Sequence, residues 1–501
     1  MGTASRDGVA LKLSTWINHF LVYGLGIVMM NVLPALMIPI YTYRVPPAIY
    51  GVLELLNRSQ EFLLLILSFG LRSALLTFYQ MSKDEPERRK GVYSTALQFL
   101  SIFGLVLILL TMFGARTWSL LLFGTRTYSI AVLLILAATY FETVFQMAVL
   151  YLQSELRSVL YVSVFTTRAL VAVALNLLFV YWWRWGLVGI LWATLLHTAL
   201  YALAVVIYML RRTGFIFDRS LLGEMVRFGA PVMIGAFASF LLNNGDRYFL
   251  NHYSTQADVG LYGLGCRIGI LSMSLVLMPF GKIWSVTMVD ISKKPDGPFE
   301  LGKIATYLLF ACTFSTLGFS LLGPYLIRFF AERSYWDAYR VIPLVGAAYI
   351  FYSWTTIMDA SFYVTKRTVY KIYSISIGGA IVVLLYWWLI PRFGMMGAAW
   401  ATLGGYASYA ALTAFYAQRV YLIHYQMKRL ALLFVGAVVF YKVGTLIPIT
   451  PLLNGMILRS LVTLGFPFVL WLGGFLKDDE RRVLGEYWHL LRLRYLGGAE
   501  I

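Results

Sequence analysis

The chain has 501 residues, of which 60% are hydrophobic and 13% charged. An average soluble protein carries about 25% charged residues, so the composition excludes a water-soluble enzyme or binding module of this length. The net charge of +18 does not point to nucleic acid, because the basic residues gather in alternate loops between apolar blocks.

A helix crosses a bilayer with about 20 apolar residues. Blocks of that length predict spans near 17–43, 50–79, 92–115, 127–152, 157–182, 186–210, 225–249, 258–288, 304–327, 338–363, 368–390, 395–418, 430–447 and 455–475. The runs are continuous rather than alternating, which excludes a β-barrel. The predicted fold class is an all-α polytopic membrane protein of about 14 transmembrane helices. Before the first span stand Arg6 and Lys12. The apolar run that follows is longer than a signal-peptide core and has no small-residue cleavage site, so it is expected to be retained as a helix. Lys83, Arg88, Arg89 and Lys90 fall on one side of the membrane with Arg211, Arg212, Arg219, Lys293, Lys294, Lys366 and Arg367. By the positive-inside bias that side is cytoplasmic, together with both termini. Cys266 and Cys312 lie in or beside spans and cannot form a disulfide framework.

An internal repeat organises the chain. Residues 186–195 read GLVGILWATL and residues 394–403 read GMMGAAWATL, and the preceding Tyr181-Trp182-Trp183-Arg184 is echoed by Tyr386-Trp387-Trp388 and Arg392. Gly51 precedes Arg58 as Gly260 precedes Arg267, and Arg157-Ser158-Val159 recurs as Arg367-Thr368-Val369. The expected organisation is two pseudo-symmetric six-helix lobes plus two C-terminal helices, the lobes related by an axis along the membrane normal. The N-lobe is residues 1–212 with spans 1–6, and a cytoplasmic linker helix and C-lobe with spans 7–12 occupy 213–424. Spans 13 and 14 fall in 425–476, and 477–501 form a cytoplasmic amphipathic tail. The linker places Leu221, Leu222, Met225 and Phe228 on one face. The tail does so with Leu484, Trp488, Leu491 and Tyr495, near Arg481, Arg482, Arg492 and Arg494, which suits a surface of anionic membrane lipids. The Trp182/Trp183/Trp185 and Tyr386/Trp387/Trp388 clusters read as interfacial anchors.

Ionisable residues inside spans cost roughly 2.5–3.5 kcal/mol each on insertion scales and are therefore functional candidates. The second predicted span carries Glu54, Arg58, Glu61 and Arg72. On a straight helix all four fall within about 60° of one another, and Glu54, Arg58 and Glu61 are spaced to pair. A charged stripe of this kind belongs either to a water-filled central cavity or to a dry ion network. Arg267 is the repeat mate of Arg58, and the two are expected to face each other. Arg168 and Lys282 are further cations within spans, and guanidinium forks suit phosphate oxygens. Equally, these arginines suit pairing with Glu54, Glu61, Glu142 or Asp359. Arg58, Arg267, Arg168 and Lys282 are the substrate-binding candidates; Glu54, Glu61, Arg72, Glu142, Asp246 and Asp359 are the cavity or coupling candidates. Asp246-Arg247 with Asn243 and Asn244 is expected to close the seventh span at its outer end, as a cap or a gate. His197 reads as an interhelical hydrogen-bonding residue.

No catalytic residue, metal-ligand set or cofactor motif stands out. Gly297 to Lys303 reads GPFELGK, but Ile304 replaces the Ser/Thr of a phosphate-binding loop. Short outer loops argue against a glycan polymerase or ligase.

Several motifs resemble those of bacterial polysaccharide flippases. They are Arg227-Phe228-Gly229-Ala230-Pro231, Asp246-Arg247 followed by Val259-Gly260-Leu261-Tyr262, Pro46 with Tyr50-Gly51, and Arg392-Phe393-Gly394 with Gly397-Ala398-Ala399-Trp400-Ala401. In order and spacing the chain resembles an O-antigen or exopolysaccharide flippase of the multidrug/oligosaccharidyl-lipid/polysaccharide exporter superfamily. The resemblance implies two six-helix bundles that move an undecaprenyl-pyrophosphate-linked oligosaccharide outward across the bacterial inner membrane. It also implies a glycan polymerase and chain-length proteins as partners. A lipid II flippase, a multidrug/cation antiporter of the same superfamily, and a non-transporting scaffold of a glycan-assembly complex remain alternative readings.

The charge bias gives a direct test of topology. In a background lacking Cys266 and Cys312, cysteines at Glu87 and Pro295 should be shielded from a membrane-impermeant thiol reagent in intact cells. Cysteines at Leu122 and Thr255 should react; labelling at 87 reverses the assignment.

Overall fold

The computed structural model describes residues 37–155, 157–449, 451–475 and 480. Most of the first predicted span, and the amphipathic tail apart from Glu480, lie outside the described residues. Every described element is helical. In chain order they are α1 (Met37–Arg44), α2 (Pro47–Ser68), α3 (Leu71–Met81), α4 (Pro86–Phe113), α5 (Ala115–Phe123), α6 (Ser129–Ser154) and α7 (Ser158–Asn176). A π-helical stretch, Leu177–Trp182, follows, then α8 (Gly186–Thr213), α9 (Arg219–Tyr253), α10 (Gln256–Ser292) and α11 (Gly297–Phe330). A 3₁₀ segment, Arg333–Val341, leads into α12 (Ile342–Val364), α13 (Val369–Val420), α14 (Met427–Leu446) and α15 (Leu452–Leu472).

The chain is a multi-pass membrane protein. Among the described residues, eleven helices are long and apolar enough to cross a membrane, or twelve if α2 and α3 form one bent span; the expected fourteen is not reached as a count. As a single rod, the 52 residues of α13 would run about 78 Å, far beyond a hydrocarbon core of about 30 Å. The helix is in fact two, joined at Gly394 with φ 51° and ψ −129°, between the predicted spans 368–390 and 395–418. Its repeat mate Gly186, with φ 56°, opens α8. Both positions need a residue without a Cβ in the left-handed region, so the sequence repeat is also a backbone repeat.

Three expectations need correction. The predicted span 50–79 is broken at Phe69 and Gly70, which have φ 45° and 70°, and α2 and α3 meet at a bend of 43°. Gly70 is also where α9 approaches: a Cβ there would sit 2.1 Å from the Gly229 carbonyl oxygen. Second, the linker helix and the seventh span are one helix. Asp218 caps α9 by accepting from the Ser220 and Leu221 N–H groups at 2.8 and 3.1 Å, and the helix continues through Pro231 for 35 residues. Leu221 and Met225 are buried in the core, whereas Phe228 is exposed. Third, Tyr386 is not an interfacial anchor. It is fully buried, donates to the Leu242 carbonyl at 3.4 Å and packs on Gly245, while Trp182, Trp183, Trp185, Trp387 and Trp388 are exposed.

The described residues pack as two units. One lies within Met1–Gly263, Phe330–Asp337 and Val382–Ala401, the other within Leu264–Phe329, Ala338–Ile381 and Thr402–Ile501. The first thus includes residues from both sides of the expected lobe boundary at 212. Its core joins Leu71 and Tyr79 of α3, Tyr93 of α4, Phe145 of α6, Met209 of α8 and Met225 of α9. The core of the second joins Leu309 of α11, Ile357 of α12, Leu433 of α14 and Phe466 of α15.

Candidate functional site

The first unit concentrates charge where α2, α9 and the start of α10 meet. Glycines permit that approach. A Cβ on Gly51 would lie 1.8 Å from the Gln256 carbonyl oxygen, and one on Gly260 would lie 2.1 Å from that of Pro47. These repeat-related glycines therefore pack directly on each other's helices. One turn further, a Cβ on Gly263 would fall 2.9 Å from Glu54 Cγ, so its absence makes the space in which Glu54 is buried.

Arg58 stands at the centre. Its Nε donates to Glu54 Oε1 at 2.9 Å, and its Nη1 donates to Glu61 Oε1 at 2.7 Å and to Asn244 Oδ1 at 3.1 Å. Arg247 Nε lies 3.8 Å from Glu54 Oε1, which ties α9 back to α2. Arg247 Nη1 donates to both oxygens of Asp246 at 2.7 and 2.9 Å, and its guanidinium stands over the Tyr262 ring at 5.1 Å. Tyr262 donates to Asp246 Oδ2 at 2.6 Å. Two motifs of the flippase resemblance, Asp246-Arg247 and Val259-Gly260-Leu261-Tyr262, are thereby joined in space.

This geometry corrects the expectation that Asp246 and Arg247 close the seventh span. They lie within α9, 1% and 3% exposed, and α9 continues to Tyr253. The bend after α2 separates Arg72 from the other three charges of the stripe, leaving it exposed on α3. Burial is graded across the network: the Glu54 side chain is 2% exposed, Arg58 20% and Glu61 46%. Buried ion pairs recover the cost of leaving water only when their geometry is good and their other polar atoms are satisfied. The interior groups engage one another, and the Arg58–Glu61 rim is the more exposed part of the network. Arg58 thus donates to Glu54, Glu61 and Asn244 at once.

A second pair in this unit joins Arg168 of α7 to Glu142 of α6. Arg168 also donates to His197 Nδ1 of α8 at 3.4 Å and stands 4.2 Å from the Phe145 ring centroid. His197 thus bonds between helices. In the second unit, Asp359 accepts from Lys371 Nζ at 2.6 Å. Lys371 was not anticipated, because it follows the basic loop at Lys366 and Arg367 and reads as part of it. Arg267 is half-buried and Lys282 exposed in that unit. No group of three His, Cys, Asp or Glu side chains suited to a metal ion occurs among the described residues. The GPFELGK run forms the opening turns of α11, with no strand before it.

Long apolar helices around internal ion pairs define a multi-pass membrane protein. The fold matches a lipid II flippase, MurJ, in an inward closed conformation, with TM-score 0.74 and 14% identity over 91% of this chain and 98% of that one. It matches an inward-facing multidrug resistance MATE transporter of the MOP superfamily with TM-score 0.65 and 16% identity, over 78% of this chain and 94% of that one. A MATE transporter of Vibrio cholerae matches with TM-score 0.52 and 14% identity, over 78% and 98% of the two chains. No curated protein matches the sequence significantly. The family described as polysaccharide biosynthesis protein matches residues 17–284, and the chain belongs to that family.

The burial gradient sets the expected stability effects. Arg247→Ala leaves Asp246 and Glu54 without this buried cation and should cost about 3–5 kcal/mol. Glu61→Gln, at the rim, should cost about 0–1 kcal/mol. Thermal unfolding of the two purified variants in detergent checks the order; equal losses contradict it.

Proposed function

We propose that the chain is a flippase that carries an oligosaccharide, linked through a pyrophosphate to an undecaprenyl chain, from the cytoplasmic to the periplasmic leaflet by alternating access. The setting proposed is the bacterial inner membrane, with both termini in the cytoplasm. The observation that carries this reading is a partly exposed guanidinium, Arg58, held on a buried ion network between apolar helices, in a chain of the polysaccharide biosynthesis protein family. Glu61 holds the place that a pyrophosphate oxygen takes. The exchange swaps one charge-assisted bond for another, and Arg58 can present a two-pronged face to the anion. Arg267, Arg168 and Lys282 are the further cations of the proposal. Outward transfer of an anion is favoured by a potential negative inside, by about 2.3 kcal/mol per charge per 100 mV.

A second reading, transport of lipid II itself, is favoured by the likeness to MurJ over 91% of the chain. Reconstitution separates the two. In proteoliposomes carrying a labelled undecaprenyl-pyrophosphate oligosaccharide, the protein should speed the appearance of sugar at the opposite face at least about ten-fold over protein-free vesicles. Arg58→Ala should abolish the effect, and Arg58→Lys should restore part of it, since an ammonium lacks the fork. Movement of lipid II alone selects the second reading, and a rate equal to that of empty vesicles contradicts both.

A further inference from the structure

Beside the charged network, the first unit holds an apolar pocket of about 320 Å³. Its walls come from α2, α4, α5, α6 and α9, and include Phe62, Leu63, Trp118, Leu136, Phe240 and Leu241. The volume lies at the lower end of the range of about 300–1,000 Å³ found for ligand pockets. Three side chains in the lining carry hydroxyls, and all three are engaged. Ser59 and Tyr248 bond to each other at 3.1 Å, and Thr111 donates to the Ile108 carbonyl of its own helix at 2.8 Å. A polar ligand atom placed here would lose water and gain little in return. A hydrocarbon chain loses nothing of that kind.

The pocket and the network share the seam between α2 and α9. Ser59 follows Arg58, and Tyr248 follows Arg247. Asn244, which accepts from Arg58 at 3.1 Å, lies three residues after Leu241 and four before Tyr248, on one face of α9. Arg58 and its partner Glu61 are therefore the charged groups of α2 beside this seam, and Arg58 stands about 16 Å along α2 from Pro47, well inside the helix. A bilayer phospholipid keeps its head group at the membrane surface. An amphiphile with a phosphate at Arg58 and a hydrocarbon chain in the pocket uses both features.

We infer that this pocket holds part of the polyprenyl chain of the lipid carrier while its pyrophosphate engages Arg58. The inference rests on the flippase reading and adds a chain-binding site to it. Recognition then extends beyond the anionic group to the hydrocarbon next to it. The bond between Ser59 and Tyr248 marks where the polar part of the ligand ends.

The test uses the full-length protein in phospholipid proteoliposomes and a polyprenyl diphosphate bearing a photoreactive group near its first isoprene units. Cross-links should map to peptides containing Phe62, Trp118 or Phe240. Excess unlabelled polyprenyl diphosphate should reduce them at least about five-fold, and excess phospholipid should not. Leu63→Trp and Leu241→Trp, which fill the pocket from opposite helices, should each lower cross-linking at least about five-fold with little change in thermal unfolding. Leu63→Ala, which enlarges the pocket, should retain cross-linking and shows that the effect follows volume. Competition by phospholipid to the same degree would assign the pocket to bulk lipid and overturn the inference. So would sugar flipping that persists with no cross-link in the pocket, which leaves the flippase reading intact. Cross-links in the pocket without any sugar flipping would support the chain site and count against the flippase reading.

Discussion

A charge inside a hydrocarbon layer must be paired, and that constraint explains the arrangement of the first unit. Glu54, Asp246 and Arg247 are almost wholly buried, in helices whose apolar length suits a bilayer. Each therefore needs its partner placed to within a few tenths of an ångström. The requirement spreads outward. Glu54 needs room, which Gly263 provides. Arg247 needs α9 close to α2, and Gly51 and Gly260 let the start of α10 pack against α2 beside them. Asp246 needs its remaining lone pairs filled, and Tyr262 does so from α10. Three helices are thus fixed by one set of hydrogen bonds, and the glycines of the family motifs act as the spacers that permit it.

The same network grades from structure to chemistry. Its inner part is almost wholly buried and holds the helices in register. Its rim, Arg58 with Glu61, is partly open, and an ion pair there is weak enough to be exchanged. The proposed transport cycle needs both properties, because a binding group must be held rigidly and yet be released at each turn. The apolar pocket next to this rim extends the same seam into an almost wholly apolar surface, so in the proposed reading head-group and chain recognition lie side by side.

Much of this was legible in the sequence, for identifiable reasons. Apolar runs gave the spans because length and hydropathy suffice to define them, and Gly394 and Gly186 were visible as a repeat before their backbone angles were known. Glu54, Arg58 and Glu61 could be grouped because helical spacing is local. The bend at Phe69 and Gly70 was hidden inside an unbroken apolar run, and with it the separation of Arg72. Asp246 and Arg247, flanked by two asparagines, read as a helix end, since polar clusters usually mark one. Only packing against α2 and α10 shows that they belong to the interior. Asn244 lies 186 residues from Arg58, and no local pattern could join them. The apolar pocket left no mark at all, because apolar residues in an apolar chain carry no contrast.

The central claim is that Glu54 and Arg247 couple α2 to α9 energetically. A double-mutant cycle on Glu54→Gln and Arg247→Gln, followed by reversible unfolding in detergent, measures it directly. The account predicts that the double variant loses less stability than the sum of the single losses, by roughly 1–3 kcal/mol. Strict additivity of the two losses would contradict it.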